Sequence, residues 1–199
     1  MISRIIKPAV TRVITPTAKA MLRIGFTPNG VTVVGAIGVV ASAFIFYPSG
    51  RLFLGSVIIS FFALSDLFDG TMARISGQGS GKWGNFLDST LDRITDSSVL
   101  IGLILLLNKN SDRLVPVVLL ALMTGILVPY IRAKAESLGI ECSGGLAERT
   151  ERLMLALLAI ALHGLHLPFA LAIGMWILAI LGAITVVQRI MIVRNATQE

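Results

Sequence analysis

Charged residues are scarce in this sequence: they make up 14% of its 199 residues, whereas 55% are hydrophobic. A soluble domain carries about a quarter charged residues, so this composition excludes a water-soluble globule and a disordered chain. Cys142 is the single cysteine, which excludes an internal disulfide. The formal net charge of +6 comes mainly from a shortage of acids, and the Lys and Arg residues lie between apolar runs. That pattern is typical of membrane topology and argues against a nucleic-acid partner.

Long runs without charge predict where the chain crosses a bilayer, because a transmembrane helix needs about 20 mostly apolar residues. Breaks in these runs are read from turn-forming residues such as Pro48-Ser49-Gly50 and from the segment 163–168. The sequence therefore predicts an all-α membrane protein with six spans. The first span covers about 31–47, and the second runs from Leu52 into the first acidic residues. The third runs from the next acidic residues through 97–108, the fourth covers 114–131, and the last two lie within 153–188.

Positive charge predicts the orientation of these spans. Residues 1–26 place their charges on one side of a helical wheel, which is typical of an amphipathic helix lying on the membrane surface. Six crossings put both termini on one side, and that side receives all but three (Arg51, Lys109 and Arg113) of the 17 Lys and Arg residues. The positive-inside rule then places both termini in the cytoplasm. We expect a single domain over 1–199, with a juxtamembrane helix (1–26) and a six-helix bundle (27–194).

Acidic residues are clustered. Of only 11 acids, five fall near the predicted cytoplasmic ends of spans two and three: Asp66, Asp69, Asp88, Asp92 and Asp96. At helical spacing Asp66 and Asp69 share a face with small residues, as do Asp88 and Asp92, so two antiparallel helices can bring four carboxylates together. Their repulsion would reach several kcal/mol at about 5 Å, which requires a cation. Oxygen ligands without nearby His or Cys favour Mg²⁺, Mn²⁺ or Ca²⁺ over zinc.

Two other interpretations of the acids remain open. They could pair with Lys82, Arg74 and Arg93 or cap helix ends, although acids inside a span are costly and usually functional. They could also form an ion-transport site, which normally lies near the bilayer midplane. About 13 apolar residues precede Asp66, equivalent to some 20 Å of helix, so the cluster lies toward the cytoplasmic face.

The spacing of these residues resembles a known signature. The segment Asp66-Leu-Phe-Asp69-Gly70-Thr-Met-Ala-Arg74, followed by Gly84, Asp88 and Asp92, resembles the D-x-x-D-G-x-x-A-R and G-x-x-x-D-x-x-x-D motif of the CDP-alcohol phosphotransferases. The intervening segment from Ile75 to Trp83 is one residue longer than the usual spacer, and the extra residue falls in a Gly-rich loop. The similarity extends along essentially the whole chain. Such enzymes displace CMP from a CDP-activated lipid or alcohol with a second alcohol.

The resemblance implies a set of site residues. It implies two Mg²⁺ ions, with Mn²⁺ as a substitute, held by Asp66, Asp69, Asp88 and Asp92, and it makes Asp92 the general base. It also implies contacts to CDP-diacylglycerol from Asn29, Gly30, Val31, Thr32, Gly70, Arg74 and Ser80. Helix capping is the competing explanation for Asn29 and Thr32, and an ordinary loop position is the competing explanation for Ser80. A homodimer in the cell membrane, with its active site facing the cytoplasm, is expected from the family.

A second group of cations points to the acceptor. Lys134, Arg149, Arg152 and Arg194 lie on the predicted cytoplasmic side, and Arg149 and Arg152 share a helix face suited to a phosphate. The segment from Glu148 to Arg152 resembles the E-R-P-E-R segment of actinobacterial phosphatidylinositol phosphate synthases, with Thr in place of Pro. The resemblance implies an inositol phosphate acceptor. Glycerol 3-phosphate remains the main alternative, serine is disfavoured as a zwitterion, and a purely topological role for the cations also remains open.

Overall fold

The computed structural model describes residues 14–76, 81–142, 144–145 and 148–198, and every regular element within them is an α-helix. Helix α1 covers residues 14–23 of the predicted surface helix, whose first 13 residues lie outside the described part. Its position on the membrane surface stays a prediction. The others are α2 (Pro28–Phe46), α3 (Leu52–Ala63), α4 (Ser65–Ile75), α5 (Lys82–Lys109), α6 (Val115–Ser137), α7 (Arg149–Gly164) and α8 (Ala170–Ala196).

Helices occupy all six regions predicted to be spans. Four stretches of the described chain are long and apolar enough to cross a membrane: Pro28–Phe46, Leu52–Ile75 (α3 and α4 together), Val115–Ser137 and Ala170–Ala196. Helix α5 begins with a charged segment, and α7 has 16 residues. Crossing of the membrane by α5 and α7 therefore stays a prediction.

The start of α2 differs from the prediction, which treated Thr27-Pro28-Asn29-Gly30 as a break before the helix. The helix already begins at Pro28, because the Thr27 hydroxyl accepts a hydrogen bond of 3.1 Å from the Gly30 N–H and caps it. Proline is tolerated at the first helical position, where its missing N–H has no partner to lose. The predicted nucleotide contacts at 29–32 consequently lie on the first turns of α2.

Two compact units make up the chain. The first comprises the residues up to Ala41 together with Ile58–Thr95. Its core is formed by Ala18, Val31 and Met72, flanked by Ile14, Met21, Leu22 and Phe68, so α1, α2 and α4 pack together. At Gly35 a Cβ atom would lie 2.5 Å from the Cβ of Ser65, closer than real Cβ contacts come. This glycine therefore lets α2 sit directly against the start of α4.

The second unit comprises Ser42–Val57 and Asp96–Glu199, and within it α8 packs against both α6 and α7. Gly182 of α8 lies against Thr124 of α6, and further along both helices Arg189 donates a hydrogen bond of 2.6 Å to the Val128 carbonyl. Because the second contact lies closer to the C-terminus on both helices, α6 and α8 run parallel. The second Arg189 bond, of 3.1 Å to the Gly144 carbonyl, ties the following loop to α8.

Candidate active site

Asp69 is the most enclosed of the four signature carboxylates. Only 8% of the residue is exposed, and its Oδ2 atom accepts a hydrogen bond of 2.6 Å from the Thr32 hydroxyl. The Thr32 hydroxyl, which lies on a different helix, thus holds Asp69 and restricts how its side chain can turn.

Two of the other signature acids lie within electrostatic range of Asp69. The charges of Asp66 and Asp88 act on the Asp69 carboxylate. Asp66 and Asp92 are half-buried, whereas Asp88 is exposed. Among the described residues, no group of three or more His, Cys, Asp or Glu side chains stands ready to hold a metal ion. Coordination by all four carboxylates stays a prediction, since drawing like charges into one shell requires a cation.

Nearby cations give limited support to the ion-pairing alternative. Arg93 approaches Asp92 with 3.8 Å between Nη1 and Oδ2, a long separation for a strong ion pair. Arg74 instead donates a hydrogen bond of 2.9 Å to the Gly70 carbonyl and one of 3.3 Å to the Thr71 hydroxyl on its own helix.

The donor chemistry and the space at Gly70 fit a hard divalent cation with a bound nucleotide. Carboxylate oxygens are the ligands that Mg²⁺ and Mn²⁺ prefer. Among the described residues, a Cβ atom at Gly70 would meet nothing within 4 Å. Gly70 is therefore not one of the small residues at which the two helices meet, and its open side leaves room for close approach by a ligand.

The predicted nucleotide contacts divide by exposure. Asn29, Gly70 and Arg74 are exposed, and Gly30 is half-buried. Val31 packs in the core of the first unit, so its side chain contacts protein. Thr32 is 8% exposed and bonded to Asp69. Ser80 lies outside the described residues.

The acceptor residues lie in the second unit, where Arg149 has a partner that the sequence did not identify. Its Nε and Nη2 atoms donate hydrogen bonds of 3.1 Å each to the two carboxylate oxygens of Asp96. Asp96, the fifth of the clustered acids, is therefore the partner of a cation on α7. Two N–H groups of Arg149 are therefore already bonded to Asp96, and the role of Arg149 as a phosphate ligand stays a prediction.

Arg152 lines a cavity of about 50 Å³ together with Asp96, enough for a few water molecules. Thr124 and Gly125 of α6 line it too. Hydrophobic patterning does not reveal this cavity, because 114–131 has the composition of one continuous span. Pro129 is the available signal of an irregularity, because it has no N–H to bond the carbonyl of Gly125 four residues earlier.

Lys134 and Arg194 occupy the last turns of α6 and α8 and are exposed. Because these two helices run parallel, both cations lie toward the same end of the second unit. Convergence of Lys134, Arg152 and Arg194 on one phosphate stays a prediction.

Comparison with known proteins gives a consistent result. The profile of the family described as CDP-alcohol phosphatidyltransferase matches residues 26–190. A phosphatidylinositol phosphate synthase from Streptomyces avermitilis is 39% identical over 208 aligned positions, covering 100% of this chain and 85% of the relative.

Two solved structures of a phosphatidylinositol phosphate synthase are also similar to this chain. The crystal structure of Mycobacterium tuberculosis phosphatidylinositol phosphate synthase with CDP-DAG bound superposes with a TM-score of 0.87 at 41% identity, covering 92% of this chain and 94% of that one. A structure of the same mycobacterial enzyme in complex with manganese and citrate superposes with a TM-score of 0.86 at 40% identity, covering 90% and 88%.

Proposed function

The chain belongs to the CDP-alcohol phosphatidyltransferase family, and from this premise we propose that it transfers the phosphatidyl group of CDP-diacylglycerol to an inositol phosphate. The acceptor is 1D-myo-inositol 3-phosphate, also written L-myo-inositol 1-phosphate, and the products are phosphatidylinositol phosphate and CMP. The observation that carries this proposal is the full-length similarity to phosphatidylinositol phosphate synthases. The signature residues support it, because they are present on α4 and α5.

The metal site of this proposal consists of Asp66, Asp69, Asp88 and Asp92, which would hold two Mg²⁺ or Mn²⁺ ions. Bound there, divalent cations supply charge neutralisation at the pyrophosphate and at the leaving CMP. The Thr32 hydroxyl bonds to Asp69, the one buried member of the set.

Donor binding and proton transfer fall to the chain's own residues. Asn29, Gly70 and Arg74 are exposed for contact with the cytidine nucleotide, and we assign Gly30, Val31, Thr32 and Ser80 to its surroundings. Asp92 is the general base: its half-buried carboxylate takes the proton of the attacking acceptor hydroxyl.

The acceptor phosphate is assigned to Lys134, Arg149, Arg152 and Arg194. Guanidinium groups suit phosphate because they donate in a planar fork. Arg152 has structural support, since it lines a small cavity together with Asp96 and Thr124. We further propose a homodimer of six-span subunits in the cell membrane, with its active site facing the cytoplasm.

One assay tests the function. Purified protein receives CDP-diacylglycerol, Mg²⁺ and either inositol phosphate or glycerol 3-phosphate, and CMP release is followed. We expect CMP release with inositol phosphate and its loss in excess EDTA, with Mn²⁺ restoring it. Release with glycerol 3-phosphate alone would assign the protein as a phosphatidylglycerophosphate synthase. Full turnover in EDTA would contradict the metal site, and cation flux in liposomes without CMP release would favour the transport alternative.

A further inference from the structure

The Thr32 hydroxyl lies between two acceptors. It is 2.6 Å from Oδ2 of Asp69 on α4 and 3.1 Å from the carbonyl of Pro28 on its own helix. A hydroxyl has one hydrogen and donates it to one acceptor at a time. The shorter distance and the negative charge both favour Asp69, since hydrogen bonds to ionised acceptors are shorter and stronger than neutral ones.

The usual behaviour of helical threonine provides the contrast. Such residues commonly donate to the carbonyl four positions earlier. Thr71 and Thr185 do so, each at 2.7 Å from its own acceptor, the carbonyls of Leu67 and Leu181. At Thr32 the distance to the carbonyl of Pro28 is 3.1 Å, so the contact of 2.6 Å with Asp69 on the neighbouring helix is the shorter of the two.

Burial makes this bond consequential. Thr32 and Asp69 are both 8% exposed. Water therefore competes little for the carboxylate, and the Thr32 hydroxyl restricts its orientation. Gly35, one turn after Thr32, keeps α2 against the start of α4 and so maintains the approach.

We propose that Thr32 is a positioning residue for the metal site: its hydroxyl fixes the Asp69 carboxylate in the orientation that binds a divalent cation. This inference rests on the proposed function only in requiring a cation at Asp69. It gives Thr32 a role different from the nucleotide contact predicted from the sequence. Partners that orient metal ligands typically change metal affinity 10- to 100-fold when removed.

The test measures metal binding without substrate. Wild-type protein in detergent is titrated with Mn²⁺, and free Mn²⁺ is read from its electron paramagnetic resonance signal. Thr32→Val keeps the shape but removes the hydroxyl, and we expect about tenfold weaker Mn²⁺ binding. Thr32→Ser retains the hydroxyl and is expected to stay close to wild type. Thr185→Val is the matched control, because it removes a buried hydroxyl that bonds within its own helix.

Thermal melting with and without Mn²⁺ provides a second measurement. We expect Thr32→Val to lose most of the Mn²⁺-induced rise in melting temperature while Thr185→Val keeps it. Unchanged Mn²⁺ affinity in Thr32→Val overturns the proposal, as does an equal loss in Thr185→Val, failure of Thr32→Ser to restore binding, or absence of Mn²⁺ binding by wild type. CMP release is scored separately, so a wrong acceptor assignment leaves these results unaffected.

Discussion

At the scale of single residues, the four signature carboxylates have unequal surroundings. Asp69 is buried and accepts a hydrogen bond from the Thr32 hydroxyl, whereas Asp88 is exposed. Asp92 is half-buried, with Arg93 at 3.8 Å. The structure therefore gives the signature carboxylates different surroundings, and the division between metal binding and proton transfer stays a prediction.

Asp92→Asn tests the general-base assignment. The amide fills the same space but cannot accept the proton of the acceptor hydroxyl, so we expect turnover to fall by about 10²-fold or more. Binding of CDP-diacylglycerol should persist. Single-turnover CMP release and donor binding measured on the same preparation separate these effects. Near-normal turnover at saturating Mg²⁺ would show that another group takes the proton.

Arg152→Gln tests the acceptor site. If Arg152 binds the acceptor phosphate, losing its charge should raise the acceptor KM by about tenfold or more and leave the donor KM unchanged. Arg132→Gln is the matched control, because Arg132 lies on the predicted cytoplasmic side and pairs with Glu136 at an exposed surface position. Acceptor titration at saturating CDP-diacylglycerol gives both values. Equal acceptor KM values for Arg152→Gln and wild type would show that Arg152 serves only the membrane orientation of the chain.

At the scale of helices, hydrophobic patterning located the elements but not their ends or their irregularities. Absence of charge correctly marked six helical regions, since only apolar side chains suit a bilayer. The start of α2 was misplaced because Thr27-Pro28 has the composition of a turn, and only the Thr27–Gly30 hydrogen bond identifies it as a cap. Pro129 was likewise overlooked inside α6.

Side-chain partners between helices were the least predictable feature. Thr32 and Asp69 are separated by 37 positions, and Arg149 and Asp96 by 53. Periodicity shows which residues share a face of one helix, but it does not specify which side chain of another helix they meet. The signature acids can therefore be identified from the sequence, but the contacts that orient them cannot.

The Asp96–Arg149 pair joins α5 to the first residue of α7, where a capping box between Glu148 and Glu151 completes the helix start. We expect Asp96→Asn to reduce stability by about 1–3 kcal/mol, because a partly buried guanidinium loses its charged partner. The readout is the melting temperature in detergent. Glu136→Gln removes the partner of Arg132 at an exposed site, where ion pairs contribute at most about 1 kcal/mol, and serves as control.

A double-mutant cycle with Asp96→Asn, Arg149→Gln and both together isolates the interaction between the two side chains. Additive losses would contradict a direct pairing. A rise in acceptor KM for Arg149→Gln that Asp96→Asn does not share would instead support the predicted phosphate contact of Arg149.

At the scale of the whole molecule, membrane topology depends on two helices that composition alone does not decide. Helix α7 has 16 residues, a length of about 24 Å, which is shorter than a hydrocarbon core of about 30 Å. Helix α5 is long enough, with 28 residues, but its first half carries charge. If both cross, the α5–α6 and α7–α8 turns lie outside and the chain's end lies in the cytoplasm.

Cysteine accessibility tests this arrangement. With Cys142 replaced by Ala, single cysteines at Asn110, Leu167 and Gln198 mark the α5–α6 turn, the α7–α8 turn and the segment after α8. In intact cells we expect a membrane-impermeant thiol reagent to label Asn110→Cys and Leu167→Cys but not Gln198→Cys, which should react only after permeabilisation. Arg51, Lys109 and Arg113 are the three cations assigned to the outer side, so this pattern also follows from the positive-inside rule. Labelling of Asn110→Cys and Gln198→Cys without Leu167→Cys would show that α7 does not cross, whereas labelling of Gln198→Cys alone would reverse the predicted orientation.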